Sequence, residues 1–187
     1  MNLPNKLTML RVILVPVFMV FAAYSRYGTA DFNPTFALIA GIIFAVASFT
    51  DFLDGYLARK NNLVTDFGKF MDPLADKMLV LSAMCYFVEV GLMPGWVVAL
   101  VLLREFGVSG LRLLAVEQGI VIAAAWSGKI KTGVTMVALG ILIIATQPWF
   151  PAPEIVSVVC WVLILATTLY SGVEYFVKNI GVFKHCA

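Results

Sequence analysis

The 187-residue sequence is 61% hydrophobic, has a mean hydropathy of +0.96 and carries only 13% charged residues. Soluble domains contain about 25% charged residues, so this composition excludes an ordinary soluble fold and predicts an integral membrane protein. A spanning helix takes about 20 residues, which leaves room for roughly six spans and for no separate soluble domain. Residues 1–187 are therefore expected to form one membrane domain, and the formal net charge of +2 gives no reason to expect a nucleic-acid partner.

Hydropathy and helix-breaking residues together predict an all-α fold with six transmembrane helices. The first apolar run is interpreted as a retained helix, because it is longer than the core of a signal peptide and no convincing cleavage site follows it. Glycine, proline and asparagine separate the later runs. The expected spans, in chain order, lie near residues 7–25, 34–60, 68–91, 94–118, 128–147 and 154–178.

The basic residues predict the orientation of these spans. Of the 13 lysines and arginines, only Arg26 falls at the ends assigned to the outer side. Cytoplasmic loops carry the excess of positive charge in membrane proteins. Both termini are thus expected in the cytoplasm, in a cytoplasmic (inner) membrane, and the second and fourth connections lie on the same side.

Four aspartates occur in the stretch TDFLDGYLARKNNLVTDFGKFMDPLADK, residues 50–77. One charged residue at the centre of a membrane helix costs about 2.5–3.5 kcal/mol, so these carboxylates need compensation. Asp51 and Asp54 are spaced i, i+3, and Asp72 and Asp76 are spaced i, i+4, so each pair shares a helix face. An antiparallel hairpin of the second and third spans would bring all four together at matched depths.

Two divalent cations would offset the repulsion among these carboxylates and suit a displacement at phosphorus. The alternative is that the aspartates lie at the interface and form salt bridges with Arg59, Lys69 and Lys77.

The same stretch resembles the signature of the CDP-alcohol phosphotransferases. That signature reads DxxDGxxAR, eight residues, then GxxxDxxxD, and every defined position is matched here. The resemblance implies a six-helix membrane enzyme, usually a homodimer, that moves a substituted phosphoryl group from a CDP-linked donor to an alcohol and releases CMP. It also implies two Mg²⁺ or Mn²⁺ ions held by Asp51, Asp54, Asp72 and Asp76, with Asp76 as the general base.

The resemblance further assigns residues to the nucleotide of the donor. Gly55, Ala58 and Arg59 would line its pocket, and Gly68 would allow close approach. In the first helix, Asn5, Thr8 and Arg11 share a face by spacing and could contact the nucleotide or its pyrophosphate, although Asn5 could equally cap that helix.

Three further segments bear on the acceptor alcohol. NLPNKLTMLR, LLREFGVSGLR and SGKIKT resemble segments of the bacterial family members that make phosphatidylglycerophosphate from CDP-diacylglycerol and sn-glycerol 3-phosphate. Arg112, Lys129 and Lys131 supply the positive charge that an acceptor phosphate needs, or alternatively only the cytoplasmic charge that sets topology. Lys129 and Lys131 are two residues apart, so on a helix only one of them is expected to face a given ligand.

Two questions stay open at the level of sequence. Arg104 and Glu105 fall within the fourth span, where a charged pair must be satisfied, and either they buttress each other and neighbouring helices or Arg104 reaches the site. The acceptor could instead be serine, inositol phosphate or phosphatidylglycerol with the same chemistry. A divalent-cation transporter is the alternative from another class, but no polar relay continues from the aspartates toward the outer side.

Overall fold

The computed structural model describes the backbone of residues 3–26, 33–61, 66–120, 122 and 125–184. The side chains of residues 3–5, 51–70, 72–73 and 183–184 lie outside this description. The helices are α1 (Leu3–Tyr24), α2 (Pro34–Asn61), α3 (Asp66–Glu89), α4 (Gly95–Glu117), α5 (Trp126–Ala145), α6 (Pro153–Lys178) and the short α7 (Gly181–Lys184). The described chain contains no strand, which confirms the predicted all-α class.

The six long helices coincide with the six apolar segments predicted from the sequence. α4 runs from Gly95 to Glu117, against a predicted span of 94–118. α1 begins at Leu3, four residues before the expected start near 7, because Pro4 is compatible with the first turn of a helix. Apolar composition marks the part of a helix that lipid or protein surrounds, and the helix itself extends a turn beyond it.

Glycine sets the tight turn between α3 and α4. Gly91 adopts φ 80, a left-handed conformation that costs glycine nothing. The backbone amides of Leu92 and Met93 then donate to the carbonyl oxygen of Phe87, which closes the end of α3. This turn brings α4 back antiparallel beside α3, and it thereby places the charged middle of α4 near the first half of α3.

The helices pack around a core of large apolar side chains. α1 lies against α2 and α3, α5 lies against α6, α2 and α3, and α4 lies mainly against α6 with a smaller contact to α3. Phe18 of α1 is fully buried, with its ring centroid 6.1 Å from that of Phe44 and 6.3 Å from that of Tyr86. Leu139 and Leu142 of α5 complete this core.

The outer surface of the bundle is apolar. Leu103 and Phe106 on α4 are 69% and 70% exposed, an arrangement that water would penalise and lipid would accept. Three helical segments in the described chain are long and apolar enough to cross a membrane, namely Lys6–Tyr24, Trp126–Ala145 and Pro153–Lys178. The count of six spans stays a prediction.

Gly41 marks the closest approach of α2 to α5. A Cβ atom at this position would lie 2.3 Å from Cγ2 of Ile143, well inside van der Waals contact. We expect Gly41→Ala to destabilise the protein, since overpacking costs about 1–3 kcal/mol while helix propensity returns only about 1 kcal/mol. Thermal unfolding in detergent measures the effect. Gly133→Ala in α5, where a Cβ meets nothing within 4 Å, is the matched control and should unfold no earlier than the wild type.

Candidate functional site

The aspartate-rich stretch occupies the end of α2 and the start of α3. The backbone is helical through residue 61 and again from Asp66, so both halves of the signature lie on helices, and these helices contact each other. The predicted site residues whose side chains lie outside the described part are Asn5, Asp51, Asp54, Gly55, Ala58, Arg59, Gly68 and Asp72. Among the side chains that are described, no group of three or more His, Cys, Asp or Glu could hold a metal ion.

Asp76 is the signature aspartate whose side chain is described. It lines a cavity of about 40 Å³ between α3, α4 and α5, with a volume comparable to one or two water molecules. The residues around the cavity are Asp76, Lys77, Val80, Leu81, Val101, Glu105, Lys131, Thr132 and Thr135. A carboxylate of the signature therefore shares a cavity with a lysine that the sequence assigned to the acceptor.

Lys131 is the predicted acceptor residue that lines the cavity of Asp76. Its side chain is only 8% exposed, and its Nζ donates to Oε1 of Glu105 at 2.5 Å. The same oxygen accepts a hydrogen bond from a terminal nitrogen of Arg104 at 2.9 Å. One carboxylate thus joins two cations, one from its own helix and one from α5.

This cluster answers the question left open for Arg104 and Glu105. Arg104 does not line the cavity of Asp76; it pairs with Glu105 and runs beside α6, where a Cβ at Gly172 would lie 3.1 Å from its Cγ. Buttressing is therefore the contact seen for both residues. Glu105 does more than buttress, however, because it also reaches the cavity that Asp76 lines.

Lys129 and Arg112 lie outside this cavity. As the helical spacing predicts, Lys129 diverges from Lys131: it is exposed and its Nζ lies 4.9 Å from the ring centroid of Trp126. Arg112 is exposed near the end of α4, seven residues after Glu105 and so on the same side of that helix, about 10 Å further along it. Of the three predicted acceptor residues, the structure places only Lys131 beside Asp76.

Lys77 and Ser109 form a second polar link between α3 and α4. Nζ of Lys77 donates to Oγ of Ser109 at 2.6 Å, next to the cavity. Ser109 and the threonines of α5 were not predicted as site residues. Helical spacing contains the information that identifies them. Ser109 follows Glu105 by four residues and Thr135 follows Lys131 by four, so each shares a helix face with a charged residue.

Thr8 and Arg11 lie on the inner face of α1. They are 1% and 0% exposed, and α1 packs against the two helices that carry the signature. Full burial of an arginine requires compensation by its surroundings, which a purely topogenic charge at a helix end would not need. The shared face predicted from their spacing is therefore directed into the bundle.

Comparison with known proteins gives matches over nearly the whole chain. A family model described as CDP-alcohol phosphatidyltransferase matches residues 1–170. A Bacillus subtilis protein named CDP-diacylglycerol–glycerol-3-phosphate 3-phosphatidyltransferase is 44% identical, over 98% of this chain and 97% of its own. A Rickettsia felis protein of the same name is 36% identical, over 94% and 93%. A Mycobacterium tuberculosis protein named probable phosphatidylglycerophosphate synthase is 39% identical, over 100% and 87%.

Proposed function

Since the chain belongs to the CDP-alcohol phosphatidyltransferase family, we propose that it transfers the phosphatidyl group of CDP-diacylglycerol to sn-glycerol 3-phosphate. The products are phosphatidylglycerophosphate and CMP. Membership confirms the resemblance predicted from the aspartate signature, and it makes the protein a membrane transferase of phospholipid biosynthesis. The donor and the acceptor are those named by the Bacillus and Rickettsia relatives.

The observation that carries this proposal is the shared cavity of Asp76 and Lys131. The reaction needs a base beside the attacking hydroxyl and a cation beside the phosphate of the same small acceptor. A carboxylate from α3 and an ammonium from α5 line one cavity, which would form the inner end of a larger acceptor site. Serine carries no phosphate, so a buried lysine is less useful to it than to glycerol 3-phosphate.

The chemistry follows from these two residues. Asp76 accepts the proton of the primary hydroxyl of glycerol 3-phosphate, and the resulting oxygen attacks the β-phosphorus of the donor. The new oxygen–phosphorus bond replaces the bond to the α-phosphate, and CMP departs with that bridging oxygen. Lys131 holds the acceptor phosphate, which fixes the hydroxyl near Asp76 and converts an encounter of two molecules into a positioned attack.

The residues present fit two divalent cations of the Mg²⁺ or Mn²⁺ type. Oxygen ligands from four aspartates are the donors that hard cations prefer, and their positions lie on two helices that contact each other. Asp51, Asp54, Asp72 and Asp76 would hold the ions, which would supply charge neutralisation at the pyrophosphate. EDTA should therefore abolish turnover.

The donor nucleotide is assigned to the same end of α1, α2 and α3. Asn5, Thr8, Gly55, Ala58, Arg59 and Gly68 form the proposed pocket for the cytidine nucleotide. Burial of Thr8 on the inner face of α1 supports a pocket between that helix and the signature. The acyl chains of the donor stay in the bilayer while its headgroup reaches this end of the bundle.

We propose that the acceptor site begins at Lys131 on α5, crosses to α4 and extends along α4 to Arg112. These residues lie on the side of the bundle where Lys77 and Ser109 also link α3 to α4. Lys129 belongs to the proposed site as a peripheral charge, since its ammonium lies over Trp126 at the surface. The positive charge of these residues would attract an anionic acceptor toward the buried Lys131.

We propose that the protein lies in the cytoplasmic membrane as a six-span chain with both termini and the active site on the cytoplasmic side. The distribution of basic residues supports this orientation, and the exposed apolar surface supports a location within the bilayer. A homodimer is part of the proposal through the family resemblance.

A test of the function is CMP release by the purified protein in detergent with CDP-diacylglycerol and Mg²⁺. Glycerol 3-phosphate, serine, inositol phosphate and phosphatidylglycerol are offered as acceptors in parallel. We expect turnover with glycerol 3-phosphate only, and none in the presence of EDTA. Turnover with a different acceptor would overturn the assignment of the basic residues while leaving the transferase chemistry in place.

A further inference from the structure

We propose that Glu105 is a positioning residue that holds the ammonium of Lys131 in the cavity beside Asp76. This inference rests on the proposed function, and it gives a role to a buried carboxylate that the family signature does not include. Glu105 lies on α4, whereas the signature lies on α2 and α3. It has no part in proton transfer and acts on the acceptor through Lys131.

The geometry fixes the lysine from one side. Oε1 of Glu105 accepts from Nζ of Lys131 at 2.5 Å and from Arg104 at 2.9 Å, and the Glu105 side chain is 14% exposed. Since Arg104 also anchors the carboxylate, Glu105 has little freedom to follow a moving lysine. The carboxylate is therefore a fixed point that defines where the ammonium lies.

The helix packing makes this link necessary. α4 packs mainly against α6, and α5 packs against α6, α2 and α3, so α4 and α5 are not principal neighbours. The link between Lys131 and Glu105 bridges them through long side chains across the cavity. Without the carboxylate, an ammonium at the end of four methylene groups would lose the contact that fixes its position in the cavity.

Charge and hydrogen-bonding capacity leave Lys131 able to bind a phosphate while it is held. An ammonium has three N–H donors, and Glu105 accepts one of them. The three side chains Arg104, Glu105 and Lys131 together carry two positive charges and one negative charge, which leaves a net charge of +1. Removal of Glu105 would also leave two cations in a region of low dielectric constant without their shared counter-ion.

The experiment is steady-state kinetics of the purified full chain in detergent, with CDP-diacylglycerol and sn-glycerol 3-phosphate varied separately. Glu105→Gln keeps the size of the side chain and removes its charge. We expect the KM for glycerol 3-phosphate to rise about tenfold, while the KM for CDP-diacylglycerol changes less than about twofold. Glu117→Gln, which removes the same charge from an exposed position on the same helix, is the matched control and should leave both KM values near those of the wild type.

A second comparison separates positioning from a general effect on folding. Lys131→Met is compared with the double variant E105Q/K131M, which keeps the net charge of the cluster at that of the wild type. If Glu105 acts through Lys131, the acceptor KM of the double variant lies within about twofold of that of Lys131→Met. This comparison stands even if Glu105→Gln alone unfolds.

Two results would overturn the inference. One is an acceptor KM in Glu105→Gln that is unchanged or lower. An unchanged KM would mean that the carboxylate has no role in acceptor binding, and a lower KM would mean that it competes with the acceptor phosphate for Lys131. The other is multiplication of the two effects in the double variant, since Glu105 would then act independently of Lys131. A wild-type protein without turnover on glycerol 3-phosphate would instead overturn the proposed function, so the two failures are distinguishable.

Discussion

Asp76→Asn is expected to lower kcat by about 10²–10⁴-fold, the range that a positioned general base contributes to a reaction. Asparagine keeps the shape of the side chain but cannot accept the proton of the attacking hydroxyl. The proposed metal site would also lose one of its four carboxylates, which places the expected loss toward the upper end of the range. CMP release under saturating CDP-diacylglycerol and glycerol 3-phosphate is the measurement.

The control for this variant is Asp66→Asn at the start of the same helix. Asp66 lies outside the signature, so this substitution removes an equal charge from α3 without touching a proposed catalytic group. Its kcat should stay close to that of the wild type. Both variants are compared for thermal unfolding in detergent, and a folded Asp76→Asn with near-normal kcat would remove Asp76 as the base.

The fold was predictable from sequence because its determinants are local. Apolar runs of about 20 residues separated by glycine, proline and asparagine define helices without reference to their neighbours. The predicted and observed boundaries differ where a helix extends beyond its apolar segment. At the start of α1, the helix Leu3–Tyr24 begins before the apolar run. In the described part of the chain, three segments qualify as spans by composition. α4 does not qualify, since charged residues such as Arg104 and Glu105 lower its hydropathy.

The candidate site was predictable only where spacing within a helix decides it. The divergence of Lys129 from Lys131 follows from the period of 3.6 residues. Glu105 and Lys131 lie on different helices and are 26 residues apart in sequence. Their contact depends on how α4 and α5 pack relative to α3. No local pattern contains that information, so the sequence offered Lys131 and Lys129 as equals.

Lys131→Met is the second substitution with a large expected effect, and it tests whether the structure separates these two lysines correctly. A charge-assisted hydrogen bond to a phosphate contributes about 1.5–3 kcal/mol, so the KM for glycerol 3-phosphate should rise about 10- to 100-fold. Methionine retains most of the apolar stem that fills the space beside Thr135, so the change is largely one of charge. The KM for CDP-diacylglycerol, whose pocket lies along α1 to α3, should change much less.

Lys129→Met provides the comparison, because it removes the same charge two residues away on the same helix. Long-range attraction of an anionic acceptor is lost equally in both variants, whereas direct contact with the acceptor phosphate is lost only where the ammonium faces the cavity. A larger rise in acceptor KM for Lys131→Met than for Lys129→Met therefore measures the direct contact, in addition to the long-range attraction. Equal effects in the two variants would mean that both lysines act at a distance, and the acceptor phosphate would then bind nearer to Arg112 than to Asp76.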